Sequence, residues 1–322
     1  MRGPNDYFGG MSLRDPHGRA IRKLRVQLTD ACNFRCFYCM PEGTRFQPAS
    51  GLLAPEEIAG ICGTLNAMGV EEIRVTGGEP TVRPEFDRIV TLLAGIPWAK
   101  LGLTSNGFLL GSKLPLLKEL GFRHLNISMD SLDAGRFRAI TGSPRFADVR
   151  AAALEARNMG FEVKLNAIVF RGMNDDELPA FARFSASYGV EVRFLELMKV
   201  GPADARHGEL FVPADEMLAR LRETEELIPV EVPVDSTAFS YRTASGARLG
   251  FIASESKPFC GACSRLRLTA TGKLRACLFS EAGVNLAGRD PLDYPEILRE
   301  VMALKPAGRL PRILQPMNQI GG

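Results

Sequence analysis

Six short runs rich in aliphatic and β-branched residues recur along the first two thirds of the chain: LRVQLT (24–29), EIRVTG (72–77), KLGLTS (100–105), RHLNISM (123–129), VKLNAIVF (163–170) and VEVRFLELM (190–198). Between them lie helical patterns, clearest in PEEIAGICGTLNAMG (55–69) and RFADVRAAALEARNMG (145–160). Alternating strand and helix predicts right-handed βαβ crossovers and a parallel sheet. Six units are fewer than the eight that close a barrel, so the expected fold is α/β, an open, six-unit partial β/α barrel. As in closed barrels, chemistry belongs on the loops that follow the strand C-termini. The polar clusters TDACNFRCFYC, TGGEP, TSNG and SMDS all fall there.

After about residue 200 the rhythm breaks, and Pro, Gly and charge dominate 201–246. At 322 residues the chain exceeds the size at which single cores usually stop growing. The expected division is a polar, loose lead-in over 1–20, the partial barrel over 21–200, and a smaller C-terminal subdomain over 201–322 covering the barrel mouth. No run approaches the roughly 18 apolar residues of a membrane helix. The first residues, MRGPNDYFGGMSLRDPHGR, hold no apolar stretch fit for a signal peptide. A cytoplasmic protein is expected. A net charge of +3, from 40 basic and 37 acidic residues, gives no global field for nucleic acid or a membrane surface.

Seven cysteines in a reducing compartment are poor candidates for disulfides. Six fall into two tight groups, which points to metal. The seventh, Cys62, sits in AGICGTLNAMG and reads as a small buried hydrophobe. Cys32, Cys36 and Cys39 form C-x3-C-x2-C directly after the first strand. Three thiolates can hold three irons of a 4Fe–4S cubane and leave the fourth open. Structural zinc would need a fourth ligand, and none of His17, His124 or His207 has finger-like spacing to this group. Cys260, Cys263 and Cys277 form a second triad, C-x2-C-x13-C. A second open-iron cluster is the favoured reading there, with a zinc ribbon as the alternative. Arg265 and Arg267, two apart on a strand, project to one face and suit a phosphate or carboxylate.

The first triad, with Tyr38 before its last cysteine, resembles the radical S-adenosylmethionine superfamily. In that superfamily the amino acid end of S-adenosylmethionine chelates the open iron, and cleavage of the sulfonium releases a 5′-deoxyadenosyl radical. TGGEP at 76–80 resembles the superfamily's second loop, in which Gly77 and Gly78 let the backbone approach the methionyl group and Glu79 could accept from its ammonium. Taken with TSNG, VKLN, VRFLELM, CGACSRLRL and the final IGG, the chain resembles the GTP 3′,8-cyclase family of molybdenum cofactor biosynthesis over essentially its whole length.

That resemblance implies two 4Fe–4S clusters and S-adenosylmethionine as cofactors, and GTP as substrate. It implies hydrogen removal from C3′, bonding of C3′ to C8, and a product used by a cyclic pyranopterin monophosphate synthase. An external electron donor is required, and the family is commonly dimeric. Tyr38, Gly78, Ser128 and Met198 would contact S-adenosylmethionine, and the second cluster would bind the guanine. Arg25, Arg74, Thr104, Lys164, Arg265 and Arg267 would contact GTP. The charges agree, since Arg25, Arg74, Lys164 and Arg193 lie in or beside strands where a core would prefer apolar residues, and buried cations need a counter-ion. Glu72 departs from the family pattern, in which Lys is expected. A final carboxylate beyond Gly321 and Gly322 could thread between the clusters and meet one of these cations. Rival readings are a peptide-modifying radical enzyme with an auxiliary cluster and a non-catalytic iron–sulfur module. The lack of an aromatic–basic patch argues against RNA.

Overall fold

The structure, a computed structural model, describes residues 13–321. The six expected runs form β1 (Lys23–Gln27), β2 (Glu72–Thr76), β3 (Lys100–Ser105), β4 (His124–Ser128), β5 (Glu162–Ile168) and β6 (Glu191–Leu195). They pair in chain order, and every pairing is parallel. The connections carry α1 (Pro55–Ala67), α2 (Phe86–Ala94), α3 (Leu114–Glu119), α4 (Ala134–Thr141), α5 (Phe146–Asn158) and α6 (Leu178–Tyr188). Helix α1 starts on Pro55, whose missing N–H costs nothing in a first turn, and Glu57 accepts from the Ala54 amide at 2.9 Å. Its buried face, Ile58, Ile61, Cys62 and Leu65, joins the core that also holds Ile89, Val90 and Leu93 of α2. Each such fully buried aliphatic side chain contributes about 1.5–3 kcal/mol.

The later residues do not build a separate sheet. Strand β9 (Arg248–Ile252) pairs parallel to β6 and carries β8 (Phe239–Thr243) and β7 (Leu227–Val230) outward. Strand β10 (Arg265–Leu268) pairs parallel to β1 and carries β11 (Lys273–Arg275) and β12 (Gly283–Asn285). The result is one open sheet of 12 strands in which the C-terminal chain extends both edges. Helices α7 (Ala203–Leu210), α8 (Ala214–Arg222) and α9 (Tyr294–Ala303) complete the described elements.

Strands buried on both faces of a parallel sheet usually read as continuous apolar runs. Here the faces alternate. Leu24, Val26, Ile73, Val75, Leu103, Leu125 and Ile127 are buried in the apolar core. The opposite face carries Lys23, Arg25, Arg74, Thr104, Asn126, Lys164, Asn166 and Arg193, placed on neighbouring strands by a common register. The concave side of the sheet is therefore polar and strongly basic. Residues 13–21 are also better anchored than a loose lead-in: Leu13 and Ile21 are buried, and Arg19 pairs with Asp15 at 2.6 Å while donating to the Cys260 carbonyl at 2.7 Å.

Candidate active site

Two cavities, of about 1160 Å³ and 1190 Å³ of open space, lie along the concave face. The loop after β1 brings Cys32, Cys36 and Cys39 into the wall of the first, with Tyr38, Gly78, Ser128 and Met198 in the same wall. The second holds Cys260, Cys263 and Cys277 together with Arg25, Thr104, Arg265 and Arg267. Thr104, Asn166, Leu195, Met198 and Met317 border both, so the two thiol triads face one continuous space. Arg74 and Lys164 line a third cavity toward the strand N-termini, which shares Arg25, Asn126, Arg193 and Arg265 with the second.

Among the described residues, no three Cys, His, Asp or Glu side chains are grouped to hold one metal ion. Each triad lines one cavity, and a cubane takes each thiolate on a different iron. Burial pushes the Cys32 thiol up to about 11 and Cys39 to about 12, and Cys36 is raised well above its ordinary value. Binding of metal there must displace three protons. Burial would raise Cys263 as well, but Arg265 and Lys305 outweigh it and hold that thiol at about 7.

At Gly78, in the wall of the first cavity, the loop after β2 packs directly on the loop after β1. A Cβ there would stand 2.4 Å from the Ala31 carbonyl oxygen and 2.5 Å from that of Asp30. The Gly78 amide donates to the Thr29 carbonyl at 2.7 Å, which holds the two loops together. Asn166 and Asn318 each bring a buried side-chain oxygen without a partner to this cavity. Such atoms are costly unless a ligand or water meets them. Thiols and unsatisfied amides suit the cluster and the amino acid end of S-adenosylmethionine.

Glu79 departs from its expected role. Its carboxylate is fully buried and accepts from the Thr81 hydroxyl (2.6 Å), the Ser105 hydroxyl (2.9 Å) and the Asn106 amide (2.6 Å). It braces the β2 loop against the β3 loop and does not border the cavity. Tyr38 donates to Asp130 at 2.8 Å, and burial raises that carboxyl to about 6.

No carboxylate pairs with Arg25, Arg74, Arg265 or Arg267 among the described residues, although Lys164 and Arg193 share Glu191. Burial, then Arg267, Arg265 and Arg74, push the Arg25 guanidinium well below its ordinary value. Burial, then Arg193, lower Arg74 to about 10, and burial, then Arg265, lower Arg267 to about 10. Arg74 and Arg267 stay protonated at such values, and all three shifts register a site short of negative charge. Glu72 supplies little of it, facing Lys23 at 3.7 Å and paired in register with Lys100. Asp235, on a loop beside β1, is committed to Lys23 at 2.9 Å and Ser264 at 2.6 Å.

Several lining residues escape a sequence reading. Asn126 and Asn166 look like ordinary strand residues, yet each carries an orphaned buried oxygen. The final described residues are tied to the cavity walls up to Gly321. Asn318 donates to the Asp30 carbonyl at 3.0 Å, and Arg267 donates to the Gly321 carbonyl. Gly322 lies outside the described residues.

Known proteins give the same picture. The Radical SAM superfamily model matches residues 26–185, and the Molybdenum Cofactor Synthesis C model matches 190–308. The chain is 42% identical to the GTP 3′,8-cyclase of a Synechocystis species over 311 residues, covering 97% of this chain and 95% of that protein. It is 36% identical to the GTP 3′,8-cyclase of Aquifex aeolicus over 293 residues, 90% of this chain and 91% of that one. Among solved structures, Streptococcus suis SuiB bound to its precursor peptide SuiA shares the fold, with a TM-score of 0.63 at 15% identity over 89% of this chain and 68% of that one. With both family models side by side and relatives matched nearly end to end, the chain belongs to the GTP 3′,8-cyclase family of the radical S-adenosylmethionine superfamily.

Proposed function

We propose that this protein converts GTP into 3′,8-cyclo-7,8-dihydro-GTP, using a 4Fe–4S cluster on Cys32, Cys36 and Cys39 and a second on Cys260, Cys263 and Cys277. The observation that carries the reading is the joined cavity. Two thiol triads face one space, and Arg25, Arg74, Arg265 and Arg267, buried or half-buried and without acidic partners among the described residues, line its far side. A nucleoside triphosphate fits that charge pattern, with its base toward the second triad and its phosphates toward Arg74 and Lys164. Its ribose then falls beside Thr104 and Met198, where the two cavities meet.

When bound, the first cluster and S-adenosylmethionine supply the one-electron chemistry that removes hydrogen from C3′. The protein's own residues do the rest of the work by placement. Tyr38, Gly78, Ser128 and Met198 shape the cofactor's berth, and the arginines hold the triphosphate so that C3′ and C8 are in reach. C3′ gives one hydrogen to the adenosyl group, and the cyclised nucleotide takes up one electron and one proton, so product and GTP share a formula. The electron comes from an external donor, and a cyclic pyranopterin monophosphate synthase consumes the product. A cytoplasmic site and a homodimer fit this role, and no helix among the described residues is long and apolar enough to cross a membrane.

Arg265 tests the substrate half of the proposal. It borders both the second and the third cavity and lies over the Phe259 ring at 5.1 Å. A hydrogen bond to a charged group contributes roughly 1.5–3 kcal/mol, or about 10- to 150-fold in affinity. Arg265→Ala is expected to weaken GTP binding by that factor in equilibrium dialysis, while S-adenosylmethionine cleavage without GTP stays measurable. Unchanged GTP affinity would remove Arg265 from the site.

A further inference from the structure

Lys305 follows α9 and is only 3% exposed, an uncommon position for an ammonium group. Its Nζ donates to the carbonyls of Arg265 at 2.7 Å and Ala276 at 2.9 Å, and stands 3.5 Å from Cys263 Sγ. An ammonium has three donors, and these three neighbours use them all. Arg265 lies two residues after Cys263, and Ala276 immediately precedes Cys277. One buried cation thus gathers the chain at two of the three thiols.

The backbone around Lys305 is held from the other side. His17 Nε2 lies 3.1 Å from the Lys305 carbonyl. Arg19 donates to the Pro306 carbonyl at 2.7 Å and to that of Cys260, the third thiol residue, at 2.7 Å. The residues before β1 therefore buckle Lys305 and the Cys260 loop together. No carboxylate pairs with Lys305 among the described residues. A buried cation requires a counter-charge, and the nearest candidate is the Cys263 thiolate.

We propose that Lys305 is a fixed counter-cation of the second iron–sulfur cluster, beside the Arg265 guanidinium, donating a charge-assisted hydrogen bond to the Cys263 sulfur and raising that cluster's reduction potential. The proposal rests on the reading that Cys260, Cys263 and Cys277 hold a cluster. Hydrogen bonds to sulfur, net charge and burial are the protein's levers on such potentials. Reduction adds negative charge, so a buried positive charge beside a ligand sulfur favours the reduced state. The first triad has no equivalent. The hydrogen bonds to its sulfurs come from neutral groups, the Phe34 amide at 3.4 Å and the Asn106 side chain at 3.7 Å on Cys32, the Tyr38 side chain on Cys36 and the Asn318 backbone on Cys39.

The test compares anaerobically reconstituted full-length wild type with Lys305→Gln, which keeps a donor but removes the charge, and Lys305→Arg, which keeps the charge. Iron is counted, and each cluster's midpoint is followed by paramagnetic resonance during redox titration. Addition of S-adenosylmethionine marks the first cluster's signal. The expected result is about eight irons per chain in all three proteins, a second-cluster midpoint shifted negative in Lys305→Gln, and one near wild type in Lys305→Arg. Loss of the second cluster in Lys305→Gln but not in Lys305→Arg would equally support the charge. Coincident midpoints in all three, or loss of the cluster in both variants, would overturn the proposal and leave the cluster reading intact. About four irons in wild type would sink both.

Discussion

Gly78→Ala is expected to abolish S-adenosylmethionine cleavage, lowering 5′-deoxyadenosine formation by at least about 100-fold. One added methyl has that effect because of what it meets. It would stand 2.4 Å and 2.5 Å from two carbonyl oxygens of the loop that carries the first cysteines. Real contacts of this type need about another ångström, and the obstacle is backbone rather than a side chain that can swing aside. The loop after β1 must move, and with it Cys32 or the floor of the cofactor's berth. Misplacement of reacting groups by about 1 Å costs on the order of 100-fold in rate. Iron analysis separates the two ways this can happen. About eight irons with no cleavage places the damage in the cofactor's berth, whereas about four places it in the cluster loop. Wild-type cleavage in Gly78→Ala would show that the loop is not held as described.

Deletion of Gly321 and Gly322 is expected to leave both clusters and S-adenosylmethionine cleavage in place while cyclisation falls on the order of 100-fold. Chain ends usually fray and tolerate trimming. This one is anchored: Ile320 and Asn318 are buried, and Gln27 donates to the Asn318 carbonyl at 2.5 Å. Gly321 has φ +76, and a Cβ on it would lie 2.9 Å from the Gln27 Cβ, so only glycine passes without strain. Its carbonyl is the hydrogen-bond acceptor recorded for Arg267, a buried guanidinium in the wall of the second cavity. Without that acceptor, Arg267 is free to turn and the nucleotide loses register. The ratio of cyclised nucleotide to 5′-deoxyadenosine, measured beside wild type, checks this, and an unchanged ratio and rate would show the tail to be dispensable.

The central sheet is legible because its strands keep a period of two and its helices a wider one, and all six strands fall within a few residues of the expected runs. Less visible is where the later chain goes. Strand β10 is only four residues, RLRL, and nothing local tells it to pair with β1 rather than with β6. That choice depends on closing a very long loop, which sequence periodicity does not encode. At the site, cysteine spacing survives in one dimension because each triad sits largely on one loop. The lining amides do not: Asn126 and Asn166 become conspicuous only once the register places them on a cavity without partners. Lys305 is hidden for a similar reason, since a lysine after a helix ordinarily points to solvent. Glu79 shows the reverse error, a motif residue whose carboxylate turns out to be consumed by bracing two loops.

The central claim is that this one joined cavity removes hydrogen from C3′ of GTP and bonds that carbon to C8. Product and GTP share a formula, so mass alone is insufficient. The decisive measurement uses GTP carrying deuterium at C3′, incubated anaerobically with reconstituted protein, S-adenosylmethionine and dithionite, with chromatographic separation before mass detection. The expected result is a new nucleotide that elutes apart from GTP and has lost its deuterium, and 5′-deoxyadenosine carrying one deuterium for each nucleotide formed. Unlabelled 5′-deoxyadenosine, with all GTP recovered intact from a protein holding both clusters, would contradict it.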